Sequence, residues 1–281
     1  MSSFSIQTDP GTKYDHNEDT VDHDDALSLW LVADGMGGHA AGEVASQIAR
    51  NIFLEKVRDS QSHEAAAIAA HQQIVLAAEA QQAQQGMGST LVAMQIVDSH
   101  AGLVWVGDSR AYLWRDNDLS VVTHDHSYVQ MLIDQGHLNE ESARDHPKRN
   151  MVTQVLGLGN PEPETRSLPL QTGDWLVLCS DGLNDELTDG EIAQILRTAG
   201  CVEDVAGALI AQALENGGRD NVSVVAVQYD GPSAAVVGEQ QSASESSAMP
   251  AIGDFLRSPL ALGMGGAILV FIIFWIVTRG V

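Results

Sequence analysis

Basic residues are scarce in this chain. Lysine and arginine total 14 against 38 aspartates and glutamates, which gives a formal net charge of -24, and no stretch gathers the cations together. Affinity for a phosphate backbone is largely cationic, so a nucleic-acid-binding role is excluded. Cysteine is nearly absent: Cys179 and Cys201 have no spacing that makes a zinc site or a disulfide framework, and a reducing compartment is the default. The first stretch, Met1 to Asp19, is polar and lacks the apolar core of a secretory signal. Charge itself is missing in one place, between Arg257 and Arg279, where Leu260 to Val277 is almost wholly apolar. A helix of roughly 20 such residues, range about 17–25, crosses the hydrocarbon of a bilayer. Residues 258–278 are therefore predicted as one C-terminal transmembrane helix in preference to a buried core helix. With no signal before this span and a very short tail after it, the folded part is expected in the cytoplasm, in a single-pass protein of the cytoplasmic (inner) membrane.

What is present is a repeated device. The apolar run Ala26 to Val32 leads through Ala33 to Asp34 and then breaks into Gly35-Met36-Gly37-Gly38-His39. A strand-like run that ends on a carboxylate and gives way to glycine puts that carboxylate on a rim, where backbone approaches closely. The pattern recurs where Val104 to Gly107 leads to Asp108, where Trp175 to Ser180 leads to Asp181-Gly182, and where Arg219-Asp220-Asn221 leads into Val222 to Val227. Carboxylates at the ends of four apolar runs can converge on one edge of a packed sheet. A cluster of Asp and Glu with neither His nor Cys selects hard divalent cations such as Mg2+ or Mn2+. Two such cations generate hydroxide from water near neutral pH and clamp the oxygens of an in-line displacement at phosphorus, which is the chemistry of phosphate-ester hydrolysis. Empty, the cluster repels itself, so a metal is expected to stabilise the fold.

The remaining pattern supplies the frame. Ser5 to Thr8 reads as a strand before the turn Asp9-Pro10-Gly11. Gly42 to Val57 carries apolar residues at helical spacing, and Glu64 to Gln84 is helical by its alanine and glutamine content. Thr90 to Val97 with Ala101 to Val106, and Ala111 to Arg115 with Leu119 to Thr123, read as hairpins whose strands are covered on both faces. His124 to Gly159 is polar, an excursion beside the acidic edge. Thr188-Asp189 with Glu191 forms a capping signal for a helix to Thr198, Glu203 to Glu215 shows one apolar helix face, and Val222 to Tyr229 is a closing strand. From Gly231 the chain turns to Ser, Ala, Gln, Gly and Glu without period, a flexible linker.

The set Asn17-Glu18-Asp19, ADGMGGH (33–39), Gly88-Ser89-Thr90, VGDSR (106–110), THDHS (123–127), HPKRN (146–150), Ser180-Asp181-Gly182-Leu183 and Arg219-Asp220-Asn221 resembles the metal-dependent Ser/Thr protein phosphatases of the phosphatase 2C type, the PPM family, in their bacterial branch. The resemblance runs in family order over about residues 4–230. It implies an α+β fold, a four-layer α-β-β-α sandwich of two antiparallel sheets flanked by helices. It also implies hydrolysis of phosphoserine and phosphothreonine in phosphoproteins, through a water or hydroxide bridging two Mn2+ or Mg2+ ions, in opposition to a bacterial Ser/Thr kinase. The chain then divides into a catalytic domain (1–230), a linker (231–257) and the transmembrane helix (258–278).

Carried over by position, the resemblance makes Asp34 the ligand that bridges both metals and the Gly35 carbonyl a ligand to one. Asp181 and Asp220 complete a shell, Glu18 and Asp19 act directly or through water, and Asp108 helps hold a third, weaker metal. The excursion 124–159 matches the family's flap. Two positions depart from the pattern. Where the family usually has a phosphate-gripping arginine this chain has Tyr14, with Lys13 beside it, and Lys13 is expected to substitute in part as the substrate-binding cation. Where some members place a histidine after the Asp-Gly pair, this chain has Met36, and His39 is the nearest candidate for the leaving-group acid, the alternative being a polar loop residue. A second reading is a catalytically weak phosphoprotein-binding module tethered to the membrane. The complete acidic set favours the enzyme, and Tyr14 is the feature that leans the other way.

Overall fold

The computed structural model describes residues 2–37, 41–80 and 85–231. The chain divides into two units, Met1–Ala235 and Val236–Val281, and the architecture below is that of the first. The predicted transmembrane helix 258–278, and all of the predicted linker beyond Gly231, lie outside the described residues. Among those described, no helix is long and apolar enough to cross a membrane.

In chain order the elements are β1 (Ser3–Asp9), β2 (Thr20–Asp24), β3 (Leu29–Ala33), β4 (Gly35–Met36), α1 (Ala41–Arg58), α2 (His63–Ala80), β5 (Gly88–Ser89), β6 (Leu91–Val97), β7 (His100–Val106), β8 (Arg110–Arg115) and β9 (Asp118–Val121). There follow α3 (Tyr128–Asp134), α4 (Glu140–Arg144), β10 (Glu164–Pro169), β11 (Trp175–Cys179), α5 (Asp181–Glu186), α6 (Asp189–Thr198), a 3-10 turn (Val202–Asp204), α7 (Val205–Asn216) and β12 (Val222–Gln228). One sheet has the order β1-β12-β11-β8-β9, the other β10-β7-β6-β3-β2, and β4 pairs with β5. Every strand pairing is antiparallel.

The unbroken apolar runs of the sequence are explained by alternation within each strand. Leu29, Leu31 and Ala33 of β3 join Leu91 and Ala93 of β6 in a core with Ala45, Ala49 and Phe53 of α1 and Ala66, Ala70 and Ile74 of α2. Their neighbours Trp30, Val32, Val92 and Met94 face the other way, against Leu176 and Leu178 of β11 and Val225 and Val227 of β12. The remaining faces of β11 and β12, with Val177, Cys179, Val222 and Val224, are covered by Leu209 and Ile210 of α7 and Ile192 and Leu196 of α6. The result is helices, sheet, sheet, helices. Each buried aliphatic side chain in these layers contributes roughly 1.5–3 kcal/mol, so strands covered on both faces need apolar residues at every position.

The structure redraws a few boundaries. Ala26–Ser28 is a turn, with Ser28 at φ 49°, and β3 starts at Leu29. The predicted helix at Glu203 begins as the 3-10 turn, with α7 starting at Val205. The capping box at Thr188 and Glu191 is formed in full at the start of α6.

Candidate metal centre

Strand direction brings the acids together. β3 and β7 both run antiparallel to β6, so their C-terminal ends emerge on the same edge, one followed by Asp34 and the other by Asp108. β11 and β12 are antiparallel, with Cys179 opposite Val224, which sets Asp181 at the end of one beside Asp220 at the start of the other. Packing the sheets face to face puts all four on one rim. Asp34 is held at its own backbone: its N–H donates to Thr90 Oγ1 at 3.0 Å and its carbonyl accepts from the Thr90 N–H at 2.8 Å. Next to it, a Cβ on Gly35 would fall 2.1 Å from the Gly42 carbonyl oxygen and 2.6 Å from that of Glu18. Only glycine allows the start of α1 and the Glu18 backbone to close in on Asp34.

A cavity of about 420 Å³ opens on this rim, and Glu18, Asp34, Gly35, Asp108, Asp181 and Asp220 all line it. Asp19 stands behind: its Oδ2 accepts from Ser180 Oγ at 2.8 Å, and its Oδ1 is buried with no hydrogen-bond partner. Asn221 ties the rim together, accepting from the Glu18 N–H at 2.8 Å while its amide donates to the carbonyls of Pro10 and His16. Asn150 and Val152 of the excursion also reach the cavity. A second cavity of about 620 Å³ extends from it between the excursion and the starts of α5 and α6, and shares Asp108, Asn150 and Asp181.

The electrostatics oppose an empty, fully ionised site. Burial first, then the charges of Asp19, Asp181, Asp108 and Asp220, hold the Asp34 carboxyl well above its ordinary range. Burial and then Asp108, Asp185 and Asp220 do the same to Asp181. Burial, with Asp125 next, pushes Asp108 up to about 7, and burial raises Asp19 to about 6 against the nearby hydroxyls of Ser223 and Ser180. Asp220 is raised by burial, with the Asn221 N–H and Lys13 pulling against it. Among the described residues no three His, Cys, Asp or Glu side chains close on a point tightly enough to hold an ion by themselves. The acids instead ring the cavity, leaving room for the waters that a cation such as Mg2+ retains. A lining dominated by carboxylates, an orphaned buried carboxylate oxygen and mutual repulsion together fit a hard divalent cation.

Two sequence expectations meet the structure differently. Tyr14 lines the cavity, whereas Lys13 stands off its wall and donates from Nζ to the Tyr14 hydroxyl at 2.9 Å. His39 lies outside the described residues. The sequence reading gave no role to Thr90, Ser180, Asn150 or Asn221, although each sits in one of the quoted short motifs. For Ser180 and Asn221 the signal available was polarity directly beside an acid, for Asn150 its place in the excursion, and for Thr90 only its place in a short polar motif at the start of an apolar run.

The protein phosphatase 2C family model matches residues 12–215. The chain belongs to the protein phosphatase 2C family. Serine/threonine phosphatase stp of Listeria welshimeri is 37% identical over 237 residues, covering 79% of this chain and 94% of that protein. The crystal structure of the Mycobacterium tuberculosis serine/threonine phosphatase PstP superposes with a TM-score of 0.76 at 36% identity, covering 82% of this chain and 99% of that one. The PstP catalytic domain in complex with two manganese ions superposes with a TM-score of 0.73 at 36% identity, over 81% of this chain and 97% of that one. The four layers and the acidic rim described above are thus those of a phosphatase 2C family member.

Proposed function

We propose that the chain is a metal-dependent protein phosphatase that hydrolyses phosphoserine and phosphothreonine in proteins and opposes a bacterial Ser/Thr kinase. The observation that carries this reading is Asp34, a deeply set carboxylate faced by Asp19, Asp108, Asp181 and Asp220, an arrangement with no use unless cations fill it. The two manganese ions of the PstP catalytic domain support two Mn2+ or Mg2+ ions here, with a third, weaker one at Asp108. When bound, these ions lower the pKa of water and stabilise charge on phosphoryl oxygens.

In this reading Asp34, the Gly35 carbonyl, Asp181 and Asp220 hold the ions. Glu18 and Asp19 assist, Asn221 fixes the backbone of Glu18, and Thr90 fixes that of Asp34. Tyr14 and Lys13 meet the phosphorylated residue at the cavity mouth, and the excursion brings Asn150 to its wall. His39 is the proposed leaving-group acid, and a His39→Ala variant that keeps the shape of the pH–rate profile would remove it from that role. The binding-module reading is weaker, since a retired enzyme has no need to keep a self-repelling cluster. The uncharged stretch between Arg257 and Arg279 supports a single-pass anchor in the cytoplasmic membrane, with the phosphatase on the cytoplasmic side; recovery of the full-length chain in the soluble fraction of lysed cells would count against it.

The test is hydrolysis of p-nitrophenyl phosphate and of a phosphothreonine peptide by the full-length chain, with Mn2+, Mg2+ or a chelator, beside an Asp34→Asn control. Turnover that needs the metal and disappears in the control is expected. A folded, metal-loaded protein that turns over neither substrate would overturn the reading.

A further inference from the structure

His126 belongs to the motif THDHS (123–127), to which nothing above gives a role. It is buried, 5% exposed, and lines neither cavity. Its partners explain its place. The Gly107 N–H donates to His126 Nδ1 at 3.2 Å, and the His126 N–H donates to the Gly107 carbonyl at 2.9 Å. The His126 carbonyl accepts from the Thr153 N–H at 2.7 Å, and Nε2 lies 3.0 Å from Glu164 Oε1 on β10. A ring nitrogen that accepts from an amide carries no proton, so the neutral ring holds its proton on Nε2 and donates it to Glu164.

Gly107 is the residue before Asp108. Its φ is +109°, and a Cβ there would lie 2.6 Å from Thr90 Cγ2, so no side chain can anchor this turn. The handles left on Gly107 are its N–H and its carbonyl, and His126 takes both. Asp108, 7% exposed, then projects to the point where the two cavities meet. Through Thr153 the same histidine ties the returning limb of the excursion to this turn.

We propose that His126 is a positioning residue for Asp108: by gripping both backbone groups of Gly107 it fixes that carboxylate, and so sets the affinity for the cation that Asp108 helps to hold, with Glu164 selecting the tautomer. Orienting partners behind a ligand typically change metal affinity about 10–100-fold when removed. The inference rests on the metal-dependent phosphatase reading.

The test uses the full-length chain and reads Mn2+ binding by calorimetry, the Mn2+ concentration for half-maximal hydrolysis, and the histidine ring nitrogens by long-range proton–nitrogen NMR of the metal-free protein. His126→Ala and His126→Asn are compared, alone and combined with Asp108→Asn. His126→Ala is expected to weaken the weakest-bound Mn2+ by about tenfold or more. His126→Asn, whose Oδ1 takes the place of Nδ1, is expected to recover most of that loss, and the effect of His126→Ala is expected to vanish once Asp108 is Asn. The NMR spectrum is expected to show the His126 proton on Nε2. Equal losses in both Asp108 backgrounds, an Asn variant no better than Ala, or a proton on Nδ1 would each overturn the proposal. A wild type that binds no Mn2+ would remove the phosphatase reading and this inference together, whereas a wild type that binds it, with His126→Ala unchanged, would remove the inference alone.

Discussion

Asp34 and Thr90 hold each other across the rim, with the Asp34 N–H on Thr90 Oγ1 at 3.0 Å and the Thr90 N–H on the Asp34 carbonyl at 2.8 Å. Thr90 Oγ1 also meets Ser109 Oγ at 2.7 Å, next to Asp108. One hydroxyl therefore links the Asp34 backbone to the side chain of Ser109, the neighbour of Asp108. Thr90→Val keeps the shape and removes that hydroxyl, leaving the Asp34 N–H without its acceptor. The expected cost is about 1–3 kcal/mol in urea denaturation. A shift of Asp34 by a fraction of an ångström is expected to lower kcat by up to about 10²-fold. Thr90→Ser, which keeps the oxygen, should retain most of both; a Thr90→Val variant as active as the wild type would show that Asp34 is held by other means.

The acids also fix how metal binding responds to pH. Asp19 sits at about 6 and Asp108 at about 7, with Asp34 and Asp181 well above the ordinary range, all through burial first. For an acid whose pKa is raised by folding, the metal-free folded state holds protons that the unfolded chain has released, so stability falls as pH rises from the ordinary carboxylate range through these values. A cation needs the ionised forms and displaces those protons, so its affinity rises over the same interval. At fixed free Mn2+, the gain in Tm on adding the metal is expected to be larger at about pH 8 than at about pH 6. Equal gains at both would argue against a carboxylate shell.

Much of this architecture was legible because double coverage demands apolar residues at successive strand positions, as in Leu29 to Ala33, Leu91 to Met94 and Val224 to Val227. The strands β2 (TVDHD) and β10 (ETRSLP) were not, and both are edge strands of the same sheet. An edge strand is held by backbone pairing on one side and needs little apolar surface, so its sequence reads as loop. The helix α5 was missed for a related reason: DGLNDE is short, and Asp-Gly reads as a turn until Gly182 and Leu183 are seen to be buried against α7 and β12. Four of the acids were readable from run ends alone. Glu18 and Asp19 gained weight only as members of a larger set, because their placement depends on Asn221 and Ser180, about 160 to 200 residues away.

The layer between the sheets offers a direct check of the packing. Leu178 of β11 is fully buried against the opposing sheet, while Leu76 of α2 is 57% exposed. Leu178→Ala is expected to cost about 2–5 kcal/mol in chemical denaturation. Leu76→Ala is expected to fall within about 0.5 kcal/mol of the wild type. Comparable losses at both positions would be inconsistent with a core between the sheets.

Tyr14 is the position where this chain's own chemistry is most exposed to test. Its ring lines the cavity and is 44% exposed, and its hydroxyl accepts from Lys13 Nζ at 2.9 Å. The hydrogen bond to Tyr14 comes first, and the charge of Asp220 adds to it, in holding the Lys13 ammonium above its ordinary value, so the lysine is charged at any working pH. An ammonium is a single point charge delivered through a flexible stem, whereas a guanidinium offers a planar fork matched to phosphate. Lys13→Ala is accordingly expected to raise KM for a phosphothreonine peptide several-fold with kcat nearly unchanged. Tyr14→Arg is expected to lower KM by about tenfold, the equivalent of one charge-assisted hydrogen bond of roughly 1.5 kcal/mol. Both are read from initial rates at saturating Mn2+, so that metal uptake does not enter the comparison. A Lys13→Ala variant with unchanged KM would show that phosphate is gripped without this pair, and a Tyr14→Arg variant that loses kcat instead of lowering KM would show that the cavity mouth is shaped around the tyrosine ring.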